Sequence, residues 1–301
     1  MEIESENIEL SRTPACQDYG YEETVSGGDY NGRILIDKFN KRLKVLRYEG
    51  EDITNFLNNI KNTATKHDLD KIIFFAKVKE KDSFVKLGFK EEGTIPGYYS
   101  GETCYCLSLF LNEGRANSEH NEKENKILKQ IFGNKQSYKV EKPLPLDLTI
   151  KPTERQDADK LVKLYQQIFS TYPSPLLNVD YVLSVINDTV HFISVFDGDE
   201  IISAASAELD VKNNNAEVTD CATLPNYRGK GLLTKTILAL EKELFSKDIY
   251  TLYSLARAGS FGMNAALYKM NYHYTGRMVN NCHIGGRFED MNIWVKTNTL
   301  S

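Results

Sequence analysis

Hydrophobic and polar positions alternate most clearly along residues 217–223. Val218, Asp220 and Ala222 fall on one side at period two, and Glu217, Thr219, Cys221 and Thr223 on the other, which predicts a strand. Pro225 ends it, because proline has no N–H to give a ladder. Beyond Arg228-Gly229-Lys230-Gly231, Leu233, Ile237, Leu240 and Leu244 recur at i, i+4, i+7 and i+11, the stripe of an amphipathic helix. A strand thus feeds a glycine-rich turn, and the turn opens a helix.

The same patterning divides the chain. Residues 1–32 are polar and predict a loose start. Strands follow at 33–36 and 43–48, then a helix marked by Ile53, Phe56, Leu57, Ile60 and Ala64. An apolar strand is expected at 71–78, a short helix at 83–87, a turn or strand entry at 95–99 and a strand at 103–111. Residues 112–125 are polar and charged and predict a linker, with a short helix at 126–132; Pro143 and Pro145 then stiffen the chain. The boundary is placed there, giving domains 1–146 (with 112–146 as linker) and 147–301. The second domain opens with a strand at 148–151 and a capping box of Thr153 and Gln156. Ala158, Leu161, Val162, Tyr165, Ile168 and Phe169 form a helical stripe, broken at Tyr172-Pro173-Ser174-Pro175. A hairpin turns at Asp197-Gly198-Asp199 between strands 191–196 and 200–209. After the strand, turn and helix at 217–244 come a strand at 249–256, a helix at 263–270 and strands at 272–280 and 288–296.

Composition changes this picture little. With 301 residues, 41% hydrophobic and 26% charged, the chain has the balance of a globular protein long enough for two domains. Its formal charge of −5 argues against a nucleic-acid binder and for a small or cationic ligand. Glu2, Glu4, Glu6 and Glu9 make the start unlike a signal peptide, and no run approaches the length of a membrane span. Cys16, Cys104, Cys106, Cys221 and Cys282 are too scattered for a disulfide framework and are expected to be reduced thiols in a cytoplasm. Cys104 and Cys106 share a strand period and are expected to pack. The five histidines form no ligand pattern, so no metal site is expected. A monomer or homodimer is expected, without nucleic-acid or membrane partners.

The glycine turn has a physical use. A helix start leaves unpaired N–H groups and the positive end of the dipole, and glycines let the backbone curl around an oxyanion. Together they form a phosphate cradle, here a candidate for a pyrophosphate, with Arg228 and Lys230 adding positive charge. The spacing is neither a Walker A loop nor Gly-x-Gly-x-x-Gly, since residue 234 is Thr. Asn226-Tyr227-Arg228-Gly229-Lys230-Gly231 resembles the acyl-CoA loop of the GNAT N-acetyltransferases, Gln/Arg-x-x-Gly-x-Gly/Ala. Both glycines match, and Asn226 departs at the first position. The order strand, helix, three strands, helix, strand, helix, two strands over about 150–301 is also that of the family. The resemblance implies an α/β protein with a C-terminal GNAT fold and acetyl-CoA as co-substrate. It implies cofactor contacts at Ala222, Thr223, Leu224, Asn226, Tyr227, Arg228, Gly229, Lys230, Gly231 and Leu232, with a further contact at Asn264. A faint echo links residues 84–99 to 267–281, so a degenerate GNAT-like N-terminal domain without the cradle is expected.

Further segments narrow the resemblance. They are Tyr172-Pro-Ser-Pro-Leu, residues 257–264, 272–276, 280–284 and 289–294, with Glu217-Val-Thr-Asp220 and Ile95-Pro-Gly-Tyr98. Over roughly 70–296 the chain is similar to the β-lysine N-acetyltransferases, which implies transfer of acetyl to the terminal amine of β-lysine. The product, N-ε-acetyl-β-lysine, is a neutral compatible solute, which implies a role in osmoadaptation. Another small amine (a polyamine, lysine or an aminoglycoside) or a non-catalytic acyl-CoA-binding module are the alternatives.

The acceptor must lose a proton, and a lysine-type amine has a pKa of about 10.4 in water. A carboxylate can take that proton, and Glu217 holds the strand position of the base in several relatives. Asp220, on the opposite side of the strand, would bind the β-ammonium or be the base itself. The family's oxyanion donor is a backbone N–H near residues 222–224. Tyr268 is the candidate acid, although Leu267 takes the family's expected place. Arg257 would hold the substrate carboxylate or a cofactor phosphate. Asn280 and Asn281 would hydrogen-bond either end of a diamino acid, and Tyr172, with Tyr98 and Tyr99 of the first domain, would wall the pocket.

Overall fold

A computed structural model describes residues 19–133 and 143–298. The first half contains β1 (Gly20–Gly27), β2 (Tyr30–Asp37), β3 (Arg42–Gly50), α1 (Ile53–Lys66), β4 (Lys71–Ala76), α2 (Val78–Lys86), β5 (Lys90–Gly97) and β6 (Gly101–Phe110). Helices α3 (Glu113–Ala116) and α4 (Asn121–Gly133) follow. The second half runs β7 (Leu148–Pro152), α5 (Ala158–Ile168), α6 (Val179–Val185), β8 (Val190–Asp197), β9 (Glu200–Asp210), β10 (Asn215–Thr223), α7 (Leu232–Phe245), β11 (Thr251–Arg257), α8 (Phe261–Lys269), β12 (His273–Ile284) and β13 (Arg287–Thr297). All the strands join one mixed sheet in the order β1-β2-β3-β4-β6-β5-β12-β13-β11-β10-β9-β8-β7. The protein is α/β, and α5 and α6 pack on one face of the second half while α7 and α8 pack on the other. Helices α1 and α2 bury Phe56, Ile60 and Phe84 against β1–β4. Cys104 and Cys106 are buried free thiols in a cluster that spans both halves. No helix among the described residues is long and apolar enough to cross a membrane.

Four sequence expectations change. Residues 20–27 and 30–32 are strand rather than loose start, while 1–18 lie outside the described residues. β1 is a nearly all-polar edge strand held by its ladder to β2, so it shows no apolar period. Much of 112–125, expected as linker, is helix (α3 and the start of α4), while the short helix expected at 126–132 lies within α4; residues 134–142 lie outside the described residues. Leu128 and Ile131 of α4 are buried, and Glu124 is buried beside Arg277, which composition alone hides. The box that opens the first helix of the second half uses Glu154 and Asp157, because the Thr153 hydroxyl is engaged with Ser194 Oγ at 2.7 Å. Finally, α6 follows the Pro175 break, with Asn178 Oδ1 accepting from the Tyr181 N–H at 3.1 Å.

The two halves meet at β5 and β12 through a single paired position, Gly93 with Gly276. A Cβ on Gly276 would lie 2.3 Å from Glu92 O and 2.4 Å from the Gly93 Cα, both backbone atoms that cannot swing aside. Buried polar groups replace the missing ladder. Lys71 Nζ donates to Glu92 Oε2 at 2.9 Å and to Val279 O at 2.8 Å, while Glu92 Oε1 accepts from the Val279 N–H at 2.6 Å. Arg115 donates to Asn280 O, Asp70 and Asn40 O at 2.7–2.8 Å and stacks 3.5 Å from the Phe288 ring centroid. Gly276→Ala is expected to lower the unfolding free energy by about 1–3 kcal/mol, the usual cost of overpacking. Gly133→Ala, with no atom of the described residues within 4 Å of its Cβ, is expected to be neutral or slightly stabilising by urea denaturation.

Candidate active site

Strand β10 pairs in parallel with β11 only over 215–217 against 251–253. Beyond that point the strands part, and a groove of about 680 Å³ opens between their C-terminal ends. On its other edge β10 pairs antiparallel with β9, but carries one extra residue between Thr219 and Ala222. Asp220 sits in this bulge at φ 49°, in the left-handed region. The bulge resets the alternation: Val218 packs with Ile237 and Leu240 on the α7 side, and Ala222 packs with Leu161 and Tyr165 on the α5 side. Asp220 therefore does not face away from Glu217. Both line one hollow, because the period-two count fails across the extra residue.

The glycine turn rims the groove. Ala222, Thr223, Tyr227, Arg228, Gly229, Gly231 and Leu232 line it. Gly229 has φ 75° and Gly231, the residue before α7, φ 76°; no atom lies within 4 Å of where a methyl group on either would stand, so conformation rather than crowding calls for glycine. Unpaired N–H groups at the start of a fourteen-residue helix thus open on the groove, and this cradle fits an anionic diphosphate. Three expected contacts fall away. Leu224 turns into the core and gives its N–H to Ile202 O at 2.9 Å; Asn226 lies in the short turn Pro225–Tyr227, off the groove; Lys230 is off the groove wall, with Nζ 4.7 Å from the Tyr227 ring centroid. Because Leu224 is bonded to Ile202, the ladder's alternation turns the Thr223 N–H away from β9, toward the gap.

Three other expectations move. Arg257, at the end of β11, lines this groove beside the glycine turn and not the hollow that holds Glu217 and Asp220, so the splay sets it on the turn's side. Asn264 is fully buried and is not a groove contact. Its amide donates to Arg257 O at 2.9 Å and Ser260 O at 2.7 Å and accepts from Asn292 and Trp294, both at 2.8 Å. That exhausts an amide's bonding and makes Asn264 the clamp of α8. Tyr268 lies off the groove, with ring centroids 5.4 Å from Phe132 and 6.4 Å from Trp294; the register of α8 turns it into packing, so it is not the acid.

A second hollow of about 380 Å³ adjoins the groove, within the range of small-molecule sites. Tyr172, Thr219, Asp220, Leu255, Ile284 and Met291 line both spaces and so form the junction. Glu217, Glu208, Tyr253 and Asn281 line the hollow from the second half, and Arg42, Lys44, Tyr98 and Tyr99 from the first. Asn280 does not reach it. Its amide donates to Arg115 O at 3.1 Å and Asn117 O at 3.0 Å, because a second bulge between Met278 and Cys282 turns it out, with Asn280 at φ 45°.

The hollow is electrostatically strained. Glu208 stands directly opposite Glu217 on the neighbouring strand, with Asp220 close by. Burial and the repulsion of Glu217 and Asp220 push the Glu208 carboxyl up to about 8. Burial also raises Glu217, opposed by Lys44 and by the Tyr253 hydroxyl. Burial raises Asp220 against hydrogen bonds from Ser206 Oγ, at 2.6 Å, and Tyr172. Pattern reading missed Glu208, whose signal is the unfavourable like-charge pair in a hairpin register, and Lys44, which comes from the other half of the chain.

Residues 158–272 match the model of the acetyltransferase (GNAT) family. The chain is 40% identical over 261 residues to "N-acetyltransferase YodP" of Bacillus subtilis, covering 86% of this chain and 94% of that protein. It is 39% identical to "Beta-lysine N(6)-acetyltransferase" of Methanosarcina mazei, covering 79% and 94%, and 33% identical to the protein of the same name from Methanococcus maripaludis, covering 87% and 95%. Gly229→Asp or Gly231→Asp is expected to weaken CoA binding at least about tenfold by calorimetry, with circular dichroism unchanged, because a side chain at positive φ is strained and a carboxylate repels the diphosphate. Parent-like affinity in both variants would place the cradle elsewhere.

Proposed function

Since the chain belongs to the acetyltransferase (GNAT) family, we propose that it transfers acetyl from acetyl-CoA to the terminal amine of β-lysine, giving N-ε-acetyl-β-lysine. The observation that carries the choice of acceptor is the hollow beside the cofactor groove, where carboxylates and a lysine from opposite halves face one another. Two similar proteins named for this reaction support it. Acetylation cancels the charge of the terminal ammonium and leaves one ammonium and one carboxylate. A neutral zwitterion of that kind suits a compatible solute, and we assign the enzyme to osmoadaptation on that chemistry.

Acetyl-CoA, when bound, supplies the acetyl group as a thioester. Gly229, Gly231 and the start of α7 would hold the diphosphate, and Arg257 would add charge on the same side. The Thr223 N–H stabilises the carbonyl oxygen. Glu217 would accept the proton that the amine loses as the amide C–N bond forms and the thioester C–S bond breaks, CoA leaving as its thiolate, and its raised pKa suits it to that task. Asp220 is a second candidate, favoured by its place at the junction of the two spaces. The first half supplies walls rather than a cofactor site. Its order β1-β2-β3-α1-β4-α2-β5-β6 parallels β8-β9-β10-α7-β11-α8-β12-β13, which supports a degenerate GNAT-like unit, and Glu51-Asp52 stand where a glycine turn would be needed.

Two measurements test these assignments. The base must be deprotonated, so kcat/KM should fall as pH drops through a carboxylate pKa raised above its usual range. Glu217→Gln should remove this acidic limb and lower kcat by roughly 10²-fold or more, with acetyl-CoA affinity kept. If Glu217→Gln keeps the limb and Asp220→Asn abolishes it, the role passes to Asp220. With β-lysine and α-lysine side by side, kcat/KM should favour β-lysine by roughly tenfold to several hundredfold, and NMR should place acetyl on the terminal nitrogen. Equal constants, or acetyl on the β-nitrogen, would overturn the acceptor assignment.

A further inference from the structure

The acceptor hollow has a polarity that the family relationship does not supply. At one end Tyr172, Thr219 and Asp220 connect it to the cofactor groove. At the other it meets an outer hollow of about 280 Å³, and the shared residues are Arg42, Lys44, Pro173, Ser174 and Glu208. No described residue lines both the outer hollow and the cofactor groove. The outer hollow, with Lys44 at its mouth, and the cofactor groove therefore open on opposite sides of the acceptor hollow, and Glu217, which feels the Lys44 charge, lies between them.

The polar groups along it are unequally committed. The Arg42 guanidinium is taken: Nε donates to Asp37 at 2.7 Å and Nη1 to Asn281 O at 2.8 Å. Lys44 is half-buried and, among the described residues, makes no close ion pair, although its charge acts at longer range on Glu208 and Glu217. Glu208 presents open surface to the hollow although protein surrounds it, and likewise has no ion-pair partner among the described residues. Asn281 is 1% exposed, and among the described residues its Oδ1 has no hydrogen-bond partner and its Nδ2 reaches only Cys282 Sγ at 3.5 Å. A buried amide oxygen left open on a cavity costs stability unless a donor arrives with a ligand.

Resting on the acetyl-transfer assignment above, we propose that the hollow is built for a diamino monocarboxylate lying lengthwise. The Lys44 ammonium, from the N-terminal half, holds the carboxylate. Glu208 and Asn281 Oδ1 hold the ammonium that does not react. The terminal amine is then the group left at the junction beside Asp220, with Glu217 on the adjoining wall of the hollow. Glu208, Glu217 and Asp220 set against one lysine that makes no close ion pair favour a ligand with two amino groups and one carboxylate over a simple amino acid. Lys44 is thus a specificity residue contributed by the half that lacks the cofactor turn, and it takes the carboxylate role first expected of Arg257.

The test uses the full chain and three acceptors: β-lysine, 1,4-diaminopentane, which deletes the carboxylate, and 6-aminohexanoate, which deletes the second amine. For Lys44→Met, the ratio of kcat/KM for β-lysine over 1,4-diaminopentane should fall at least about tenfold, mainly through KM, with KM for acetyl-CoA unchanged and partial recovery in Lys44→Arg. For Glu208→Gln, the ratio of β-lysine over 6-aminohexanoate should fall instead. Inhibition constants against β-lysine replace kcat/KM for any analogue turned over too slowly to follow. Unchanged ratios in both variants, or equal losses on every acceptor, overturn the proposal while leaving the acetyl-transfer assignment in place. A parent enzyme that does not acetylate β-lysine at its terminal nitrogen overturns both.

Discussion

Three buried cations of the N-terminal half grip the middle of β12, and the shape of the acceptor site depends on that grip. Between β5 and β12 the sheet is continuous through one glycine pair, so main-chain pairing contributes little there. Lys71, Arg42 and Arg115 take its place, bonded to the carbonyls of Val279, Asn281 and Asn280 in turn. Three successive carbonyls in a bulged strand point where no neighbouring strand could meet them all, and side-chain donors satisfy each one. Burying such charges is expensive. Each cation is also set against a carboxylate, Glu92, Asp37 or Asp70, and removing either member of such a pair typically costs about 3–5 kcal/mol. The net stability of the pairs is small by comparison, but they admit few other arrangements of the two halves.

The consequence reaches the chemistry through Asn281. Its carbonyl is fixed by Arg42, and that fixes its side chain toward the hollow; the neighbouring Asn280 is turned outward onto Arg115. Two adjacent asparagines, equivalent as letters, thus take opposite roles because a bulge lies between Met278 and Cys282. The bulge in β10 acts likewise on Asp220, bringing it to the same hollow as Glu217. Both bulges face the site, and both place polar side chains where a regular strand would have pointed them into a core or out to solvent.

Long periodic segments were legible in the sequence: the β10 strand, the α7 stripe, the hairpin at Asp197–Asp199 and, α6 apart, the order of elements after residue 147. Each is set by neighbours a few residues apart. The glycine turn was legible because φ near 75° at Gly229 and Gly231 leaves a residue-type mark. What escaped depends on distant partners. Arg115 and Glu124 look like linker residues until Asp70 and Arg277 are beside them. Asn264 has a cofactor contact's position but gives all its bonds to Arg257, Ser260, Asn292 and Trp294. A bulge leaves no periodic trace, since it is an offset between two strands and not a property of one.

Lys44 is the furthest of these from any local signal. It lies on β3, which pairs with β2 and β4 and touches β10 nowhere in the sheet order. It reaches the acceptor hollow only because the halves join edge to edge and their open faces bend over a shared space, where Ile73, Cys104 and Tyr253 pack together. A half without a cofactor turn can be retained for such a reason. The second half places three carboxylates along the acceptor hollow and sets Arg257 on the groove, so none of its described residues sets a cation on the acceptor wall. A carboxylate-bearing acceptor in that field needs a positive group from outside the second half. That requirement couples the choice of acceptor to the seam, and through it to Lys71, Arg42 and Arg115, residues that touch neither the groove's cofactor turn nor the reacting atoms.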